Sequence, residues 1–331
     1  MLEEKIRWID CAKGVGILLV VYGHVARGLV NADLMAADAW FQAVDSIVYS
    51  FHMPLFFIIS GVLFEKSFFR HGWRLVFNRA ASLLYPFVVW SIFQGAVEVS
   101  ISQYKNFPVL WSEVAWSLIF PRQHFWYLYA LFFLNLTAVL LMVFKPSGKT
   151  MAAFLALSAL AVVYGPVSQS CPPLKYVCGY FFYFFFGVVL SRRPDAISEV
   201  SRYGLLVLAA SIALQGWGIS GVVVSESGRA WAALLVALVC SQAVFIFSFL
   251  SRGRLAKCLA FLGLNSLYIY LMHVVFASGF RIVLAKVLGV NTAWLHLFMG
   301  CVIGVGVPCV IRALLKERID FLFDFRRWSL R

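Results

Sequence analysis

Three histidines stand inside long apolar runs of this sequence: His24, His52 and His273. An ionisable side chain is costly inside a membrane helix, so its presence there is by default a sign of function. Imidazole changes its protonation near neutral pH, and it can act as a general base, a proton relay or a metal ligand. These residues are therefore the first candidates for chemistry. The remaining histidines are His71, His124 and His296.

The elements that must position these histidines are apolar helices. Of the 331 residues, 62% are hydrophobic and 13% are charged, whereas an average soluble domain has about 25% charged residues. Apolar stretches of about 20 residues, the length of a membrane-spanning helix, recur along the chain without the alternation of barrel strands. The predicted spans are 14–30, 44–64, 81–101, 124–144, 150–166, 174–190, 204–221, 229–250, 262–284 and 292–315. The sequence thus predicts an all-α polytopic membrane protein with about ten transmembrane helices.

The basic residues are divided unevenly between the two ends of these helices. If successive spans alternate in direction, 21 of the 28 Lys and Arg residues fall on the side that carries both termini. Because cytoplasmic loops are enriched in Lys and Arg, both termini are predicted to be cytoplasmic. Topology then accounts for the net charge of +13, and no nucleic-acid partner is expected. The connections are short, which predicts a single transmembrane domain over 1–331 with no appended soluble domain.

The three histidines are predicted to lie at a similar depth. At about 1.5 Å of rise per residue, His24 lies roughly 15 Å from the entrance of its span, His52 about 12 Å and His273 about 16 Å. These depths are close to the middle of a hydrocarbon core about 30 Å thick. Three interpretations remain open: packing histidines, a metal site and a catalytic group. The metal site is the least supported of the three, because no ligand pair spaced as His-x-x-x-His is present, and no metal is expected.

Lys13 opens the first predicted span, and ten residues separate it from His24. It is either a lysine whose charged end reaches the membrane interface or an inner-face cation for an anionic ligand. Arg79, before the third span, is the second candidate cation because it also lies close to the apolar core. Asp10 stands three residues before Lys13, a spacing at which helical side chains are neighbours and can pair.

Three further residues are candidates for contact with a substrate. Glu98 lies near the outer end of the third span, where its carboxylate can accept hydrogen bonds from hydroxyl groups. Trp126 and Tyr127 can line a groove for a sugar or a lipid. For the aromatic run Tyr180–Phe186, packing is the simpler explanation.

Five segments, in order along the chain, resemble the acyltransferase family 3 of membrane proteins. They are Trp8–Gly14 leading to His24, Phe51–Gly61, Arg79–Pro86, Phe125–Phe132 and Leu262–His273. Where the family often has arginine this chain has Lys13, which keeps the charge but loses the bidentate geometry for phosphate.

The resemblance implies transfer of an acyl group from cytoplasmic acyl-CoA to a carbohydrate hydroxyl at the bacterial inner membrane. Acetyl-CoA is the expected donor, with succinyl open, and the acceptor is a cell-surface or exported carbohydrate or a lipid-linked glycan. His24 is then the candidate general base, and a covalent acyl-histidine is the rival route. His52 and His273 are expected to orient His24 or to donate to the oxyanion.

The remaining candidates divide between the two substrates. Lys13, Arg79 and Asp10 are assigned to the donor, and Glu98, Trp126 and Tyr127 to the acceptor. Gly300 and Gly304, small residues four apart in the last span, can serve packing within the chain or in a homo-oligomer. Two other functions stay open: a proton-coupled secondary transporter and a non-catalytic partner of a polysaccharide synthesis complex.

Overall fold

The computed structural model describes residues 2–100, 109–164, 171–193, 195–219, 226–315 and 318–326. Within these ranges the chain forms helices and no strand. The α-helices are α1 Leu2–Val30, α2 Ala39–His71, α3 Arg74–Arg79, α4 Tyr85–Ser100, α5 Trp111–Trp116, α6 Trp126–Val143, α7 Gly148–Tyr164, α8 Pro172–Ser191, α9 Ala196–Ser201, α10 Gly204–Ile219, α11 Glu226–Leu250, α12 Gly253–Leu264, α13 Ser266–Ile282 and α14 Ala293–Leu315. Two short π-helical turns, Ala80–Leu84 and Val283–Val287, follow α3 and α13 directly.

Eight helical segments of the described chain are long and apolar enough to cross a membrane. They are Trp8–Val30, Ala39–His71, Arg74–Ser100, Gln123–Val143, Pro172–Ser191, Gly228–Leu250, Ser266–Val287 and Ala293–Leu315. Two shorter apolar helices, Gly148–Tyr164 and Leu206–Gly216, coincide with the remaining predicted spans. The predicted all-α membrane architecture is confirmed. The cytoplasmic position of the termini stays a prediction.

The ninth predicted span begins later than its hydropathy indicates. The chain breaks at Asn265, between the amphipathic helix α12 and the spanning helix α13. Arg312 of α14 stabilises the break, since its Nη1 donates to the Leu264 carbonyl oxygen at 2.9 Å and to the Asn265 Oδ1 at 2.7 Å. Apolar residues continue on both sides of Asn265, so hydropathy alone does not reveal the boundary.

The chain folds into two compact units. The first comprises Met1–Ser60 and Leu190–Leu314, and the second comprises Gly61–Val189 and Leu315–Arg331. The division falls inside α2, between Ser60 and Gly61. The site residues predicted in the first unit are Asp10, Lys13, His24, His52 and His273, and those in the second are Arg79, Glu98, Trp126 and Tyr127.

Glycines let α1 pack against α12 at backbone distance. A Cβ atom at Gly14 would overlap the carbonyl oxygen of Leu259, and one at Gly263 would overlap the carbonyl oxygen of Asp10. Small residues of this kind allow the backbones of membrane helices to approach closely. The contact fixes the part of α1 that carries Lys13.

Two glycines of the last helix pack against valine side chains of α1. A Cβ atom at Gly300 would lie 2.8 Å from Val25, and one at Gly304 would lie 3.0 Å from Val21. The small-residue pair therefore serves packing within the chain, one of the two uses predicted for it.

Alanine at Gly14 is expected to destabilise the first unit, because its methyl group overlaps the Leu259 carbonyl group and α1 must shift. Overpacking of this kind costs about 1–3 kcal/mol. Thermal unfolding in detergent measures the effect. The matched control is Gly279→Ala, also in a spanning helix of this unit, whose Cβ position has nothing within 4 Å. Equal unfolding temperatures for the two variants would contradict the close packing of α1.

Candidate functional site

Three histidines from three helices of the first unit come together. The ring centroids of His24 in α1 and His273 in α13 are 5.2 Å apart. His24 also lies within electrostatic reach of His52 in α2 and of Arg27. Another buried histidine of this unit, His296, stands apart from this cluster, with its Nε2 2.7 Å from the Val290 carbonyl oxygen.

The helix backbone fixes the proton positions on two of the rings. The Nδ1 atom of His52 lies 2.7 Å from the Val48 carbonyl oxygen. The Nδ1 atom of His273 lies 3.0 Å from the Ile269 carbonyl oxygen and 2.8 Å from that of Tyr270. A carbonyl oxygen only accepts hydrogen bonds, so Nδ1 must carry the proton in both rings. In the neutral rings, Nε2 is then the basic nitrogen.

His24 is the member of the cluster best placed to meet a substrate. His52 is 3% exposed and His273 is 0% exposed, whereas His24 is only partly buried. An accessible imidazole can take the proton of a hydroxyl group that comes within hydrogen-bond distance. In the part of the chain that the structure describes, no three His, Cys, Asp or Glu side chains are grouped as metal ligands. The accessible ring of His24 beside that of His273 is suited to acid–base chemistry.

Lys13 and Asp10 form an ion pair on α1. The Nζ atom of Lys13 lies 3.2 Å from Oδ1 of Asp10, and the side chains are 26% and 11% exposed. The spacing of three residues allows this contact, as expected from the sequence. An ammonium group has three donors, so the pair with Asp10 leaves capacity for an anionic ligand.

Arg79, in the second unit, is bonded to a neutral partner. Its Nε donates to Oδ1 of Asn135 at 3.1 Å, and the Asn135 amide donates to the Leu131 carbonyl oxygen at 2.7 Å. Among the described residues, no carboxylate lies within ion-pair distance of Arg79. Tyr127 lies within electrostatic reach of Arg79. A π-helical turn begins at the next residue, Ala80, and such turns occur frequently at functional sites.

Glu98 belongs to a network of polar side chains in the second unit. Its Oε1 accepts hydrogen bonds from Nε2 of Gln94 at 3.1 Å and from Nε2 of Gln123 at 2.5 Å. Arg122 approaches its Oε2 at 4.0 Å. These groups line a cavity of about 20 Å³, which has room for about one water molecule or one hydroxyl group.

Trp126 lies among aromatic rings of α8. Its ring is stacked on Tyr176 with centroids 5.4 Å apart, and it lies 5.1 Å from Tyr180. Both Trp126 and Tyr127 are partly buried. The structure thus gives Trp126 a packing role in this unit and leaves part of its ring accessible.

The family model for the acyltransferase domain matches residues 6–313. The chain belongs to acyltransferase family 3. This match covers nearly the whole chain and confirms the resemblance carried by the five sequence segments. Every site residue predicted from the sequence lies inside the matched range.

Two nodulation proteins NolL are similar to this family member in sequence. The protein of Mesorhizobium japonicum is 29% identical over 218 residues, which cover 63% of this chain and 56% of the relative. The protein of Sinorhizobium fredii is 28% identical over 290 residues, which cover 80% of this chain and 76% of the relative. The chain thus spans little more than half of the first relative. No solved structure matches it significantly.

Several polar residues that contact the predicted site residues or neighbour the cluster were not predicted from the sequence. Asn135 contacts Arg79, Gln94 contacts Glu98, and Asp45 contacts Arg27. All three lie inside predicted spans, where a polar side chain is itself a signal. Their partners are 56, 4 and 18 residues away, so only the tertiary structure identifies the two distant pairs.

Removal of the Asn135 amide is expected to destabilise the second unit. Asn135→Leu leaves the Arg79 cation without its hydrogen-bond acceptor, and loss of a bond to a charged group costs about 1.5–3 kcal/mol. Thermal unfolding in detergent measures the change. The double variant Arg79→Met, Asn135→Leu removes both partners and is expected to recover part of the loss. A double variant that loses the sum of both single effects would show that the bond contributes nothing.

Proposed function

We propose that this chain transfers an acyl group, acetyl in the simplest case, from cytoplasmic acyl-CoA to a carbohydrate hydroxyl. Membership of the family supports acyl transfer. The observation that carries the proposal is the convergence of His24, His52 and His273 in the apolar interior of the first unit. Spanning helices supply all three rings, as expected for a reaction conducted inside a bacterial inner membrane.

An alcohol is a weak nucleophile at neutral pH, so the acceptor needs a base. In the proposed step His24 takes the hydroxyl proton while the hydroxyl oxygen attacks the thioester carbonyl carbon. The carbon–sulfur bond then breaks, and the proton passes from His24 to the leaving thiolate. This direct route uses His24 as a base, whereas an acyl-histidine route would use it as a nucleophile.

The donor carries several phosphate charges and requires cations. Lys13 is proposed for this role because its ammonium group, although paired with Asp10, remains partly exposed. Arg79 is proposed on separate grounds, since a partly buried guanidinium with only a neutral described partner favours binding of an anion.

The acceptor is proposed to be a cell-surface or exported carbohydrate or a lipid-linked glycan. Glu98, Gln94 and Gln123 offer carboxylate and amide groups of the kind that bind hydroxyls. Both relatives described above are named nodulation proteins, and their names do not state an acceptor.

His24→Ala is expected to bind acetyl-CoA as the wild type does but to release no thiol from it, because the base is missing. Calorimetry on purified protein in nanodiscs measures binding, and a thiol reagent measures slow hydrolysis of the thioester. His71→Ala is the matched control, since His71 is an exposed histidine whose Nδ1 lies 3.0 Å from the Ser67 carbonyl oxygen of its own helix. Thiol release by His24→Ala at the control's rate would refute the catalytic role.

Lys13→Ala and Arg79→Gln are each expected to weaken acetyl-CoA binding about tenfold, the effect of losing about 1.4 kcal/mol. The physical reason is the loss of one charge-assisted contact with phosphate. Lys149→Ala, which removes an exposed cation of α7, is the control.

If the wild type binds no acyl-CoA but carries a substrate across the membrane with protons, the proton-coupled transporter replaces this proposal.

A further inference from the structure

An ion pair joins α1 to α2 one helical turn from His24. Arg27 donates from Nε and Nη2 to the two carboxylate oxygens of Asp45, both at 2.7 Å. Two parallel bonds between planar groups hold the guanidinium in one orientation. The side chains of Arg27 and Asp45 are 45% and 18% exposed.

The oriented guanidinium covers the ring of Tyr49. The central carbon of Arg27 lies 3.2 Å from the centroid of that ring, in the geometry of a cation–π contact. Gly23 of α1 also borders the ring, since a Cβ atom at Gly23 would lie 2.9 Å from Cε2 of Tyr49. Tyr49 is thus held between two points of α1.

Tyr49 in turn contacts a histidine of the cluster. Its ring and that of His52 have centroids 4.6 Å apart and planes at 81°, an edge-to-face arrangement. The bond from Nδ1 of His52 to the Val48 carbonyl oxygen fixes one edge of the imidazole. The edge contact with Tyr49 restricts the remaining rotation of the imidazole. Two side chains, Arg27 and Tyr49, thus connect Asp45 to His52.

The alternative is that the ion pair only joins the two helices, in which case its loss would change stability and not the rate of the folded protein. A partly exposed ion pair contributes only about 0–1 kcal/mol to stability. Loss of the pair should therefore leave the fold intact. A displacement of a catalytic group by about 1 Å, in contrast, can reduce a rate by as much as about 100-fold. A positioning role is therefore recognised by a lower rate at an unchanged unfolding temperature.

We infer that Arg27, Asp45 and Tyr49 are positioning residues that hold the His52 ring in the histidine cluster. The inference rests on the proposed acyl transfer and deepens it, because it assigns the control of site geometry to residues outside the cluster. Arg27 and Asp45 position the ring of Tyr49, and Tyr49 positions the ring of His52.

The test measures acetyl-CoA binding, thiol release and unfolding temperature on the full chain in nanodiscs. Asp45→Asn and Tyr49→Leu are expected to slow thiol release at saturating acetyl-CoA at least about tenfold, with binding and unfolding temperature unchanged. Tyr49→Phe keeps the ring and is expected to retain the wild-type rate. Arg27→Lys keeps the charge but loses the planar fork, and it is expected to be as slow as Asp45→Asn.

The control is Lys149→Ala, which removes an exposed cation of α7 in the second unit. Its rate is expected to equal that of the wild type. Wild-type rates in Asp45→Asn, Arg27→Lys and Tyr49→Leu would overturn the inference. A loss of rate that is accompanied by loss of binding and a lower unfolding temperature would also overturn it, since that pattern indicates an ion pair that only joins the two helices. Failure of the wild type to release thiol is visible before any variant is made, and it overturns the proposed function together with this inference.

Discussion

A ring nitrogen inside an apolar helix must find a hydrogen-bond partner, because no bulk water is available to it. His52 and His273 find that partner in the carbonyl groups of their own helices, three or four residues earlier. This local bond decides the tautomer, and the tautomer decides which nitrogen is basic. The chemistry available to the cluster therefore depends on a contact that involves only the helix backbone.

The same constraint governs three cations of the first unit. Lys13 is paired with Asp10 and Arg27 with Asp45, while Arg281 donates to the Gly28 carbonyl oxygen. Because a charge in a low-dielectric environment is stable only when it is compensated, each cation is tied to a defined partner. The contact that compensates each of these three cations also fixes its position, and α1 contributes one or both members of every pair.

The spans were predictable because hydropathy, averaged over a helix, responds directly to the membrane. The break at Asn265 was not, since its stabilising partner Arg312 is 47 residues away. Candidate histidines could be selected because each is costly in its own span. The contact of Tyr49 with Arg27 leaves no such signal, since Tyr49 is an ordinary residue for a membrane helix and only the fold brings Arg27 onto its ring.

Rigid placement of α1 gives the proposed donor site a defined length. Gly14 holds this helix at backbone distance from α12, and Gly304 of α14 packs against the side chain of Val21; such contacts leave little freedom for sliding. Lys13 and His24 are eleven residues apart, which corresponds to about 16 Å along a helix. A donor with its phosphates at Lys13 and its thioester at His24 must bridge this distance. In acyl-CoA, the proposed donor, a long flexible arm separates the phosphates from the thioester, so this donor can span the distance.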